Sequence, residues 1–276
     1  MILSQENNTV FINEKALHDE EEVISNLLKE FDKAKAEFIE TFPLEFDKGF
    51  ANNLINDITN DREWLLRIIV ARKFVIDQSL KLLMEQIYWR TKWQPTEIKS
   101  NQVKLPLESG AWRLCGFTRN GTPLCNYKLN YWRPDDYDIE MFTRYVAFML
   151  ELITSQFTDS DGSPNKFICI FDLEGFSTSL IRYHVREMVS KLIYVAQSQY
   201  PERLKSLIFL NVPWGFSTAW TLIKPLLDEK TASKVWFLNP DLEGGYASEL
   251  DKEADICPTV LSVSYGGQHE EYEIPS

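Results

Sequence analysis

The chain is poor in the residues that carry most catalytic chemistry. Its 276 residues include three histidines and four cysteines. The cysteines form no C-x-x-C pair and lie at no zinc-like spacing from a histidine, so no metal site is expected. No G-x-G-x-x-G and no phosphate loop is present, which argues against a nucleotide or any other cofactor. No apolar run approaches 18 residues, so no transmembrane helix is predicted. The start, MILSQENNTVFINEK, lacks the basic lead and apolar stretch of a signal peptide. Free thiols and no leader suggest a reducing, cytoplasmic setting. Basic residues are also scarce: the net charge is −12 and the pI about 4.9. That balance argues against nucleic acid as a partner and against general attraction to anionic membranes, though a local basic patch remains compatible with it.

Apolar residues make up 44% of the chain and aromatics 13%, enough for a substantial core. Residues 19–93 read as helical. Asp19 with Glu22 resembles a capping box, followed by a stripe of Ile24, Leu27, Leu28, Phe31 and Phe38. Asp61 and Asp77 are expected to cap the two helices that follow them. Pro95 and Pro106 punctuate the next stretch, and a boundary is expected near 94–106. The organisation predicted is a helical lead over 1–59, a helical region over 60–100 and an α/β domain over 101–276.

Beyond that point the pattern alternates. Residues 123–129, 167–171 and 206–212 read as strands, the last two apolar on both faces. VWFL (235–238) and VLSVS (260–264) read as further strands. Helical stretches are expected at about 138–157, 180–199 and 216–228. Such alternation implies an α/β fold with a mostly parallel sheet. The stretch 216–228 is unusual. Phe216, Ala219, Trp220, Ile223, Leu226 and Leu227 share one helical face, while the opposite face carries a single charge, Lys224. A helix exposed to water normally carries more.

Gly215-Phe216-Ser217-Thr218-Ala219 resembles half of a nucleophile elbow, and Ser217, Asp251 or Asp255, and His269 occur in hydrolase order. Against this, the elbow's last glycine is Ala219, Pro213 and Trp214 separate the strand from the serine, and His269 lies in a polar acidic tail. An enzyme is therefore not expected. His18 and His184 read as isolated histidines, and Asp172-Leu173-Glu174-Gly175 as a strand-end turn.

One constellation is more specific. Tyr200-Pro201-Glu202-Arg203, Asn211, Pro213, Gly215 to Ala219, Lys224-Pro225, Leu227-Asp228, Thr231 and Ser233-Lys234 resemble the CRAL-TRIO lipid-binding family, in its phosphatidylinositol-transfer branch. Leu65-Leu66-Arg67, Ala71 to Phe74 and Trp89-Arg90 match its helical region. Asp172 to Gly175 matches its D-L-x-G, and Tyr265-Gly266-Gly267 its terminal aromatic-Gly-Gly, with Ser262 where the family usually has proline. The resemblance spans about 60–267. It implies a helical N-terminal region and an α/β lipid-binding domain whose cavity is closed by a gate helix starting near Phe216. The implied function is binding and transfer of phosphatidylinositol by a cytoplasmic, peripherally membrane-associated monomer. The headgroup would be held by Arg72, Lys73, Glu202, Thr231 and Lys234, and Gly215, Phe216, Trp220 and Ile223 would form the gate. A different hydrophobic ligand such as a sterol, or a regulatory interaction module, are the alternatives.

The resemblance also marks departures. Cys125 and Met149 fall where dual-ligand members hold choline with tyrosines, and Phe167 and Cys169 where they hold its phosphate with Ser and Thr. Phosphatidylcholine is thus expected to bind poorly, and the pocket to suit a sterol or another neutral lipid, or phosphatidylinositol alone.

Overall fold

The computed structural model describes residues 14–157, 165–177, 182–238 and 245–270. The chain divides into two compact units, 1–92 and 93–276.

The first unit is helical: α1 (Glu14–Glu40), α2 (Lys48–Asn60), α3 (Arg62–Ala71) and α4 (Ile76–Trp93). The 3.6-residue stripes of these helices converge on one core that includes Leu27, Phe31, Ile55, Ile58, Ile68 and Leu83. Asp61 caps α3 as expected, accepting from the Trp64 amide at 2.8 Å. Two caps fall elsewhere. The helix around Asp19 already runs from Glu14, so Asp19 lies inside it, and Asp77 is the second residue of α4. There the Val75 carbonyl receives the Ser79 amide. Carboxylates in a first turn still favour the helix N-terminus, so composition alone does not separate cap from first turn.

The second unit opens with the short helix α5 (Lys104–Glu108). It continues with β1 (Trp112–Phe117), β2 (Pro123–Lys128), α6 (Ile139–Thr154), β3 (Phe167–Asp172), α7 (Tyr183–Gln199) and β4 (Leu204–Leu210). Then come α8 (Phe216–Ile223), α9 (Glu229–Ala232), β5 (Val235–Phe237) and α10 (Gly245–Ala254). The five strands pair in the order β1-β2-β3-β4-β5; β1–β2 is antiparallel and the other three pairings are parallel. Each parallel crossover steps in the same direction along the sheet. Right-handed crossovers therefore place α6, α7 and α8 on one face. The opposite face is covered by α10 and the C-terminal segment, in a core of Leu124, Ile168, Ile170, Ile208, Leu210, Leu250 and Tyr265. The period of two along each strand assigns Tyr127, Cys169, Phe171, Leu207 and Phe209 to the helix-covered face.

Four elements differ from expectation. VLSVS is not a strand: short 3-10 turns at Pro258–Val260 and Val263–Tyr265 flank buried Ser262, whose strand-type pairing is an isolated bridge to His269. Leu261 and Tyr265, four apart, turn into the core, and Gly267 closes the loop against the Leu261 carbonyl, where a Cβ would sit 2.1 Å away. The helix read as 216–228 ends at Ile223 and passes through a 3-10 turn at Lys224–Leu226, because Pro225 has no amide hydrogen for the next α-helical bond. The strand β1 and the helix α10 were not anticipated. The latter carries Glu249, Asp251 and Glu253 on one side, with Tyr246, Ala247, Leu250 and Ala254 buried beneath.

Candidate functional site

Between the sheet and the helices of its covered face lies a cavity of about 220 Å³. It is floored by Phe167, Cys169, Phe171, Leu207 and Phe209, walled by α7 through Val185, Val189, Leu192 and Ile193, and closed by Phe216, Ala219, Trp220 and Ile223 of α8. None of the described lining residues is charged. Such a space favours apolar contents, since each buried CH₂ is worth about 0.8 kcal/mol.

The closing helix is held by ring contacts. Phe216 and Trp220 lie 5.5 and 5.8 Å from Phe209, centroid to centroid, and Trp220 lies 5.2 Å from Phe237. Two of these pairs meet edge to face, the packing that aromatic quadrupoles favour, along the inner face of α8. A polar latch follows it. The Gln197 amide on α7 donates to the Leu226 carbonyl at 3.1 Å and accepts from the Asp228 amide at 2.8 Å. Gly215 precedes α8 with ordinary helical φ, and a Cβ there would meet nothing within 4 Å. Immediately before it, Trp214 is 99% exposed.

Three of the residues expected at a headgroup lie at the β5 end. Glu202 is largely buried, with φ of 61°, and takes the Lys230 ammonium at 2.6 Å. The Thr231 hydroxyl donates to Asp228 at 2.8 Å, and Thr231 also lines the cavity. Lys234 is half-buried. Burial pushes its pKa down, with nearby Glu202 opposing, and it makes no ion pair among the described residues. Arg72 and Lys73 belong to the helical unit, in the turn that ends α3, where Lys73 is exposed with φ of 50°. Cys125 and Met149 are buried but do not line the cavity; Cys125 is the β2 register partner of Cys169, which does. A hydrogen bond with Cys125, together with burial, pushes the Cys169 thiol well up, so it stays protonated.

The hydrolase residues are not assembled. Asp251 and Asp255 both pair with Arg119, Ser217 is exposed on α8, and a ring nitrogen of exposed His269 faces the Glu270 carbonyl. His184 bonds the Pro134 carbonyl, and the His18 side chain lies outside the described residues. Asp172 anchors a buried network. It accepts from Tyr265 Oη and Asn211 Nδ2, both at 2.8 Å, and from the Glu174 amide at 2.9 Å. Gly175, with φ of 79°, brings the backbone so close to Asn130 that a Cβ would lie 2.8 Å from that side chain.

Sequence reasoning missed an aromatic row. Trp112, Tyr127, Phe171, Phe209 and Phe237 are successive register partners across all five strands. The signal was one aromatic per strand at matching depth, but register is needed to see the alignment.

The CRAL/TRIO domain family matches residues 107–267, more than half of the chain, and the chain belongs to that family. It is 26% identical over 213 residues to Patellin-6 of Arabidopsis thaliana, covering 74% of this chain and 50% of that protein. It is 28% identical to the mouse (Mus musculus) alpha-tocopherol transfer protein-like protein, covering 78% and 61%. It is 25% identical to the Sec14 cytosolic factor of Schizosaccharomyces pombe, covering 81% and 80%. The chain thus spans half to about three-fifths of the length of the first two relatives. The crystal structure of Sfh5 shares the fold, with a TM-score of 0.64 at 19% identity over 88% of this chain and 84% of that one.

Proposed function

We propose that this protein carries phosphatidylinositol, with its acyl chains in the cavity, its headgroup at the β5 end, and α8 as the gate. The observation that carries this reading is Lys234. A half-buried ammonium with no ion pair among the described residues, depressed by burial, is improved by an anion. It stands beside the cavity-lining Thr231 and close to Glu202, a hydroxyl donor and a carboxylate suited to a phosphodiester and to inositol hydroxyls. Desolvation does the work, and no bond is made or broken. Trp214, wholly exposed ahead of α8, supports transient contact with a bilayer, since indole rings favour the membrane interface.

The test is transfer of labelled phosphatidylinositol between vesicles. Lys234→Met should lower transfer at least tenfold. The folded protein should be no less stable, because the variant removes a burial penalty. That penalty is fully present below the depressed pKa and is relieved as pH rises through it towards the ordinary lysine value. Tm at neutral pH should not fall. Trp214→Ala should lower the vesicle-bound fraction. Undiminished transfer by Lys234→Met removes the headgroup assignment.

A further inference from the structure

A second hollow, of about 110 Å³, lies between α7 and the segment that closes the main cavity. Its wall on α7 is Arg186, Val189 and Ser190, an i, i+3, i+4 set. The facing wall is Ala219, Leu222 and Ile223 of α8 with Leu226 of the turn that follows, again one helical face. Val189, Ala219 and Ile223 also line the main cavity, so one layer of side chains separates the two spaces. Leu222 and Leu226 are each 42% exposed, which puts the hollow on the solvent side of that layer.

The rim carries one charge. Arg186 is exposed and makes no ion pair among the described residues. The Ser190 hydroxyl donates to the Arg186 carbonyl at 2.8 Å, so the guanidinium is the donor left for a ligand. A planar guanidinium takes a carboxylate through two parallel N–H bonds. Water against the apolar walls finds few partners, and a hydrocarbon tail displaces it readily.

Size and charge set the class of ligand. The hollow has half the volume of the main cavity, which suits one alkyl chain and not two. A two-chain phospholipid would leave its second chain in water. A single cation with no further donor matches a monoanion, whereas a long-chain amine would set two cations together.

We propose that this hollow binds a free fatty acid, its carboxylate on Arg186 and its chain along Val189, Leu222, Ile223 and Leu226. The site is separate from the cavity beneath it. Both of its walls are present only while α8 lies against α7, so the occupant binds the closed state better and holds it closed. That effect rests on the reading of α8 as the gate of a lipid carrier; the binding site does not.

The experiment titrates the full chain, loaded with phosphatidylinositol to fill the main cavity, with carboxyl-labelled dodecanoate below its micelle concentration, read by NMR. Dodecanol and dodecyltrimethylammonium should bind at least tenfold more weakly, the value of a charge-assisted pair. Arg186→Gln should weaken dodecanoate binding at least tenfold and leave phosphatidylinositol transfer without dodecanoate unchanged. Saturating dodecanoate should slow transfer several-fold by the unaltered protein and not by the variant. Equal binding of the three amphiphiles overturns the proposal, as does unchanged affinity in the variant. Dodecanoate that binds the unloaded chain but not the loaded one lies in the main cavity and also overturns it. Binding that needs Arg186 but leaves transfer unslowed overturns the hold on α8 and keeps the site. Absence of phosphatidylinositol transfer removes the proposed function, while the dependence of dodecanoate binding on Arg186 still decides the site.

Discussion

Asp172 shows how one residue ties distant segments together. It is 2% exposed at the end of β3, and Tyr265, 93 positions later, donates to it at 2.8 Å. The same hydroxyl accepts from Asn126 on β2 at 3.0 Å, so strand β2, strand β3 and the C-terminal segment meet at one oxygen. Burial, and then the neighbouring carboxylate, push the Tyr265 phenol up, which keeps it a donor. Tyr265→Phe leaves Asp172 buried with one bond fewer and should cost about 1–3 kcal/mol. Urea unfolding should show a lower midpoint at an unchanged slope. A midpoint equal to that of the unaltered protein would mean that water replaces the hydroxyl. The D-L-x-G and aromatic-Gly-Gly motifs were visible in the sequence as separate turns. That they share a hydrogen bond was not, because a long-range pair leaves no mark on local spacing.

At the scale of elements, α8 carries the functional argument. Its greasy face, legible from the spacing of Phe216, Ala219, Trp220 and Ile223, packs on rings of β4 and β5. The Gln197 latch at its far end was not legible, since nothing in a glutamine on α7 names the Leu226 carbonyl as its partner. If α8 opens for exchange, two substitutions should act in opposite directions. Gln197→Ala should speed lipid exchange several-fold by releasing two hydrogen bonds. Gly215→Val should slow exchange more than it weakens equilibrium binding. A Cβ at this position meets no atom within 4 Å, so the expected effect of a branched side chain falls on motion. Stopped-flow exchange beside equilibrium binding separates these effects, and equal changes in rate and affinity would argue against a hinge.

For the whole molecule, strand order decides where the cavity lies. Strands added always on the same side bring every crossover helix to one face, leaving the other to α10 and the C-terminal turns. The resulting space is uncharged, with Phe167 and Cys169 on its floor. A phosphocholine headgroup finds there neither a cation nor a hydroxyl at those two positions. Transfer of phosphatidylcholine should therefore be at least tenfold slower than that of phosphatidylinositol when both are measured side by side. Comparable rates would show that Tyr127 or a neighbouring phenol supplies the missing donors.

The sequence by itself determined the class of fold: helical stripes in the first part, doubly apolar strands alternating with helices in the second, and an under-charged helix after β4. These are period and composition signals, and each lives within a few residues. Pairing decided the rest. β1 escaped notice because an antiparallel edge strand, with Arg113 and Gly116 in it, shows no apolar run, and VLSVS misled because its alternation serves two turns around Ser262. The aromatic row, and the ammonium of Lys234 with no ion pair among the described residues, exist only in tertiary structure. Each depends on which strand stands beside which, and on how far a side chain lies from water, and neither quantity is a property of local sequence.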